Sequence, residues 1–178
     1  MSLPAIGVVI PCYKAEHTLR QTVESVLQGA PDNLQLVLVE DGSPDGTGAL
    51  CDALAAQDPR VTALHQPNGG ASAARNAGLD TLCRSGAEWV LFVDADDTIQ
   101  PYATEMLVAR AEESGADLVI AHYNRITPPR PRSEASARTG NAGEEKIAAA
   151  VAMLAEKNPT ATIVTTDWTA LTGAQIVS

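Results

Sequence analysis

Short apolar runs and longer segments of helical periodicity alternate through the first two-thirds of this chain, and that alternation leaves few architectures open. Ala5 to Ile10 is apolar and stops at Pro11. His17 to Gln28 then carries Leu19, Val23, Val26 and Leu27 at helical spacing and closes at Gly29. Leu34 to Val39 reads as a second strand, ending in Glu40-Asp41-Gly42-Ser43. A short helix with Leu50 and Leu54 on one face leads to Val61 to His65, a third strand. Gly69-Gly70 opens a helix over Ala71 to Arg84, and Val90 to Val93 is a fourth strand. Pro101 suits the first turn of the next helix, which runs to Ser114 with Gly115 as its stop, before a fifth strand over Asp117 to Ala121. Repeated βα units of this kind predict an α/β fold: a mainly parallel sheet with helices on both faces.

Past His122 the pattern breaks. Thr127 to Gly140 is rich in Pro and Arg and poor in apolar residues, which predicts a loop. Glu144 to Lys157 returns to helix, with Ile147, Val151 and Leu154 on one stripe, and the tail from Thr160 reads as one strand plus a frayed end. The expected organisation is a core over residues 1–122, a loop over 123–142, and a helix with an incomplete further region over 143–178.

With 178 residues and 45% hydrophobic content the chain can bury a core of its own, but aromatics make up only 3%, so Ala, Val, Leu and Ile must fill it. A formal charge of -10 argues against nonspecific nucleic-acid binding, which depends on Lys and Arg. It leaves room for a phosphorylated small molecule, because a bound cation inverts the local sign. Three cysteines without metal-ligand spacing and no signal peptide fit a reducing cytoplasm. No run approaches the ~20 apolar residues of a membrane span. Any contact with the inner membrane face would need a further segment.

Chemistry concentrates where the fourth strand ends. Val90-Leu91-Phe92-Val93 runs into Asp94, Asp96 and Asp97, three carboxylates within four residues. Charges so close repel unless a cation sits between them, and a hard divalent ion with oxygen ligands is the usual remedy. Two other strand ends reach the same sheet edge. Tyr13, after Pro11, offers a ring for stacking; Asp41 can accept a hydrogen bond from a base N–H, and Gly42 lets the backbone bend. The helix start at Gly69-Gly70 is a further place for a diphosphate.

Four peptides in order carry a resemblance: Val8-Val9-Ile10-Pro11-Cys12-Tyr13-Lys14-Ala15-Glu16, Val39-Glu40-Asp41-Gly42-Ser43, Asn68-Gly69-Gly70-Ala71-Ser72-Ala73-Ala74-Arg75-Asn76-Ala77-Gly78 and Phe92-Val93-Asp94-Ala95-Asp96-Asp97. Over residues 5–122 the chain resembles the family 2 glycosyltransferases of GT-A fold. That resemblance implies a nucleotide-sugar pocket, with UDP the commonest nucleotide. Pro11, Tyr13 and Glu16 match its first-strand motif, Asp41 the carboxylate that recognises the base, and Arg75 a position lining the pocket. Asp94 and Asp96 match the DXD motif, the first meeting ribose and the second the metal, with Asp97 as a further metal candidate. Glu40 departs from the usual Asp, and Lys14 from the usual Asn.

The reaction implied is an inverting displacement at the anomeric carbon by an acceptor hydroxyl of a glycan, lipid or protein. Mn²⁺ or Mg²⁺ would neutralise the leaving diphosphate. A carboxylate must deprotonate the acceptor, and Asp167 is the sole late Asp, a candidate base. Because no convincing acidic pair follows the Asp cluster, the chain reads as a donor-binding fragment of a longer enzyme.

Three other readings compete. Asp94-Ala95-Asp96-Asp97-Thr98 also fits the signature of haloacid-dehalogenase-like phosphatases, with Asp94 as nucleophile and Asp96 as general acid. That signature belongs on a first strand, and it leaves the other three peptides unexplained. A dinucleotide-dependent oxidoreductase fails at Pro11 to Ala15, which has no glycine-rich loop. A non-catalytic nucleotide-sugar-binding module would keep the carboxylates and lack the base.

Overall fold

The computed structural model describes residues 4–121 and 163–166. In chain order the elements are β1 (Ile6–Cys12), α1 (Leu19–Leu27), β2 (Gln35–Asp41), α2 (Thr47–Gln57), β3 (Val61–Gln66), α3 (Ala71–Ser85), β4 (Trp89–Phe92), α4 (Ala103–Ser114), β5 (Leu118–Ala121) and β6 (Ile163–Thr166). Two compact units are present, Met1–Val108 and Ala109–Ser178.

The first unit is built on a four-stranded sheet of order β3-β2-β1-β4, parallel throughout. Side chains alternate across it as the two-residue strand repeat requires. Val8, Ile10 and Cys12 of β1 and Leu36 and Leu38 of β2 face Leu19, Val23 and Val26 of α1 with Cys51 and Leu54 of α2. Val9, Val37 and Val39 face the other way, onto Ala74 and Leu82 of α3. Helices therefore cover both faces, as the βα alternation predicts.

α3 lies close to β1 because two glycines let it. A Cβ on Gly78 would stand 2.4 Å from Val9 Cγ1, and one on Gly7 would stand 2.5 Å from Leu82 Cδ1. Both distances are well inside van der Waals contact. The helix ends at Gly86, whose φ of 82° is left-handed and whose N–H returns to the Cys83 and Leu82 carbonyls.

Several boundaries differ from those the apolar pattern predicts, each for a local reason. β1 continues through Pro11 to Cys12. Pro11 shares the parity of Val9, whose carbonyl accepts from Val93 on the β4 side, and β4 pairs no further than Val9. The donor that proline lacks would have had no strand partner there. β2 likewise runs on through Glu40 and Asp41, so both acids are strand residues rather than loop residues, 7% and 2% exposed. α4 begins at Ala103, leaving Pro101 in the preceding turn. Tyr102 adopts a left-handed φ of 64° there and sets its ring against Gly29.

In the second unit α4 ends at Gly115, as expected, with φ 61° and an N–H from Ala116 to the Ala111 carbonyl. β5 is not the fifth member of one sheet that the βα alternation predicts; it pairs instead in parallel with β6, in a two-stranded sheet. Four isolated apolar residues cannot tell which neighbour they will find, whereas β1 and β2 are identified by longer runs. The loop expected at Thr127 to Gly140, the helix at Glu144 to Lys157, and Asp167 lie outside the described residues.

Candidate active site

The chain steps from β1 through β2 to β3 in one direction, then returns across the sheet to place β4 on the far side of β1. In open parallel sheets the crevice beyond such a reversal, at the carboxyl ends of the strands, is where ligands bind. Here it is a cavity of about 470 Å³, and Pro11, Tyr13, Asp41, Arg75, Asp94 and Asp96 all line it. Glu16 and Asp97 are not among its lining residues.

Asp41 is the most constrained of these side chains. Its Oδ1 accepts from Gln66 Nε2 at 2.7 Å and the Gly69 N–H at 2.8 Å, and its Oδ2 from the Gly70 N–H at 2.8 Å. Burial pushes its pKa upward, but the Gly69, Gln66 and Gly70 donors outweigh that and hold the carboxyl below its ordinary value. The helix start at Gly69-Gly70, expected as a diphosphate site, thus already serves an anion, and that anion is Asp41. Gly70 holds φ 84° and ψ 164°, a conformation essentially confined to glycine, to present its N–H. Gly42 holds φ 66°, and a Cβ there would meet the Asn68 backbone nitrogen at 2.7 Å.

The turn after β1 is fastened to the turn after β2. Glu16 Oε2 accepts the Gly46 N–H at 2.7 Å, Thr47 Oγ1 accepts the Ala15 N–H at 2.8 Å, and Ser43 Oγ accepts the Lys14 N–H at 3.2 Å. Glu16 acts in this fastening, shaping the pocket from behind its wall. Lys14 lines the cavity with a left-handed φ of 52° and carries its ammonium 5.3 Å from the centroid of the Tyr13 ring. A non-glycine residue in that region costs roughly 1–3 kcal/mol and is found where surroundings enforce it. The Ser43 contact is part of that enforcement.

The turn from Asp94 to Asp97, closed by the Asp97 N–H on the Asp94 carbonyl at 3.0 Å, is held from below by α1. Thr22 Oγ1 donates to the Ala95 carbonyl at 2.9 Å, and Ser25 Oγ accepts the Ile99 N–H at 3.1 Å. Sequence reasoning missed both residues, although Thr22 interrupts the apolar stripe of Leu19, Val23 and Val26, and that was a usable signal. Thr22→Val keeps the shape and leaves the Ala95 carbonyl without its donor. It should cost roughly 1–3 kcal/mol in denaturant unfolding and weaken ligand binding at the Asp turn.

Arg75 Nη2 lies 2.5 Å from Asp94 Oδ1, so α3 carries a cation to the Asp turn. Loss of hydration, then the charges of Asp96 and Asp94, raises the Asp97 pKa. Negative charge in this turn is therefore only partly compensated. Among the described residues no three His, Cys, Asp or Glu side chains converge as a ready metal cage. That donor set suits a small divalent ion taking one or two protein carboxylates and completing its shell with phosphate oxygens and water. Asp94 and Asp96, open to the cavity, fit such an ion.

Comparison with known proteins accords with this geometry. The family model for glycosyl transferase family 2 matches residues 7–168. Glycosyltransferase GlyG of Streptococcus pneumoniae is 40% identical over 119 residues, 66% of this chain and 38% of that protein. Polyprenol monophosphomannose synthase of Mycolicibacterium smegmatis is 40% identical over 115 residues, 64% of this chain and 43% of its own length. The chain thus spans less than half the length of these relatives. Among solved structures, S. aureus TarS 1–349 in complex with UDP-GlcNAc superposes with a TM-score of 0.59 at 25% identity, over 70% of this chain and 37% of TarS 1–349. Its neighbours identify the fold as GT-A. The phosphatase reading of Asp94 to Thr98 accounts for neither the family match nor the other three strand ends. A parallel sheet with its reversal at β1, a pinned Asp41 and an acid turn after β4 thus occur together with a family match across most of the length, and this chain belongs to glycosyl transferase family 2.

Proposed function

We propose that the chain forms the donor-binding part of an inverting glycosyltransferase that takes a nucleotide-diphosphate sugar, UDP-sugar foremost, with Mn²⁺ or Mg²⁺, in the cytoplasm. The observation that carries this is one cavity in which Tyr13, Asp41, Arg75, Asp94 and Asp96 meet at the sheet reversal. The Tyr13 ring, 46% exposed, offers a face to a base. Arg75 and Lys14 supply positive charge to a diphosphate. A divalent ion bound by Asp96, with Asp94 beside it and Asp97 in the same turn, would neutralise the leaving nucleoside diphosphate. TarS was solved with UDP-GlcNAc and with UDP, which supports a nucleotide-sugar donor. Two neighbours in fold, GalNAc-T7 and PcManGT, were solved with Mn²⁺; in this chain the acid turn itself supports the ion.

The acceptor is a hydroxyl of a glycan, lipid or protein, and its proton must pass to a base, for which Asp167 is the candidate. Among the described residues no helix is long and apolar enough to cross a membrane. A membrane-bound acceptor would be met from a further segment.

Asp41 also bears on which base enters. A carboxylate has about four lone-pair sites, and three hydrogen bonds already occupy it. One remaining acceptor matches the single imide N–H of uracil, whereas the guanine edge presents an N1–H and an amino group together. UDP titrated calorimetrically with Mn²⁺ should bind at least about tenfold more tightly than GDP, the value of one charge-assisted hydrogen bond. Chelator should abolish most of that binding, and Asp96→Ala should reproduce the chelated state with folding intact. Equal UDP affinity with and without metal would remove the cation from this reading; no binding of either nucleotide would remove the donor site.

A further inference from the structure

A chain of polar contacts leaves the cavity and ends on the outer surface of α2. From the cavity outward, the Lys14 N–H reaches Ser43 Oγ at 3.2 Å, and the Ser43 N–H donates to Glu40 Oε1. Glu40 Oε2 stands 3.5 Å from His65 Nδ1, and His65 Nε2 stands 2.8 Å from Asp52 Oδ1. Only Lys14 in this series lines the cavity. Both departures from the family's first two motifs, Lys14 and Glu40, belong to it, linked through one serine. The longer arm of Glu40, compared with Asp, lets a strand residue serve Ser43 with one oxygen and His65 with the other.

Resting on the reading of the cavity as a donor site, we propose that His65 is a positioning residue for that cavity: its imidazolium holds Glu40, and through Ser43 holds the Lys14 turn in the arrangement the donor meets. Lys14 is the link that needs holding, because its backbone is left-handed without being glycine. His65 is well placed to act as a switch rather than a fixed strut. It is half-exposed, so protons reach it, and it lies between two carboxylates.

The groups facing His65 are Glu40 from β2 and Asp52 with Cys51 from α2. The Asp52 hydrogen bond, ahead of the desolvation that opposes it and the Glu40 contact that adds to it, raises the His65 pKa. Burial works to raise the Glu40 pKa, but Ser43 and His65 prevail and lower it, so Glu40 remains a carboxylate while His65 titrates. The contact is therefore complete below the His65 pKa and is lost as pH rises through it. Donor affinity should fall over that same window.

The test follows the intact chain by NMR across pH. The His65 ring and the Ser43 and Lys14 amides are expected to titrate with one midpoint. Asp52→Asn, a change at an exposed side chain, should shift all three midpoints downward together; Cys51→Ala should leave them in place; Glu40→Gln should uncouple the amides from the ring. UDP affinity with Mn²⁺ should fall several-fold across the midpoint in the native chain. In His65→Gln it should be weak at every pH. Ser43 and Lys14 amides that stay still while His65 titrates would overturn the proposal, with or without a donor. So would a His65→Gln variant that folds and keeps the native pH profile of UDP binding. Coupled amides in a chain that binds no nucleotide would keep the relay and sink the donor reading alone.

Discussion

Asp41→Ala should lose most of its nucleotide binding and roughly 3 kcal/mol of stability in a single step. The two losses share one cause. Asp41 is a buried anion that three donors converge on, and the same donors shape the loop from Gln66 to Gly70 that walls the cavity. Removing it leaves Gln66 and two backbone N–H groups without their acceptor, and takes away the lone pair that the proposed donor's base would meet. Asp41→Asn separates the effects: shape survives, one carbonyl oxygen still accepts, and the amide turns a donor toward Gly69 or Gly70.

The pH dependence has a definite sign. The folded pKa of Asp41 lies below its unfolded value of about 3.9, so its contribution is present above that value and lost as pH falls through the folded one. Urea midpoints measured from neutral pH into acid should fall more steeply in the native chain than in Asp41→Asn. A parallel acid limb in the two proteins would show that the loop donors do not stabilise the charge.

The second large effect is steric. Gly78→Leu places a side chain where even a Cβ lies 2.4 Å from Val9 Cγ1 and 2.9 Å from Val9 Cγ2. Val9 is fully buried on the central strand and has nowhere to go. Overpacking typically costs about 1–3 kcal/mol and sometimes more; leucine, at the seam between α3 and β1, should reach the upper end and leave little folded protein. Gly78→Ala adds that same Cβ, so the about 1 kcal/mol it gains in helix propensity offsets only part of the clash, and Val9→Ala in the same chain should recover part of the remaining loss. Thermal melts of the four proteins of that cycle give the coupling directly. Additive losses would mean that α3 shifts aside instead of pressing on Val9.

Gly78 and Asp41 mark how far the order of amino acids alone reaches. Gly78 stands out there only as part of a motif, because a glycine inside a helix carries no mark of the strand it faces. Asp41 is legible as a candidate site residue from its position after an apolar strand, yet its burial is not, since the donors that hold it come from Gln66 to Gly70, far along the chain. Lys14 passes as a departure in a motif because nothing in its neighbours signals a left-handed backbone. The strands themselves are legible wherever a long apolar run has a two-sided core to fill, as in β1 and β2. β5 is legible as a strand but not as a sheet member, because four residues identify an extended segment without its partner. Glu16 reads as a pocket residue by motif, while its hydrogen bond to Gly46 depends on how two turns meet.

The strand order also has a consequence during synthesis. β1 is made well before β4, yet one of its two edges is covered only by β4, and 83 residues separate Ala5 from its partner Glu88 at the start of that pairing. At ribosomal rates of about 5–20 residues per second the nascent chain carries that apolar edge open for on the order of ten seconds. Open strand edges invite pairing with other chains. The acid turn that follows β4 emerges at the moment the edge closes. A nascent chain halted before Trp89 should accordingly engage chaperones and aggregate, while one released after Val108 should be protease-resistant through its first unit.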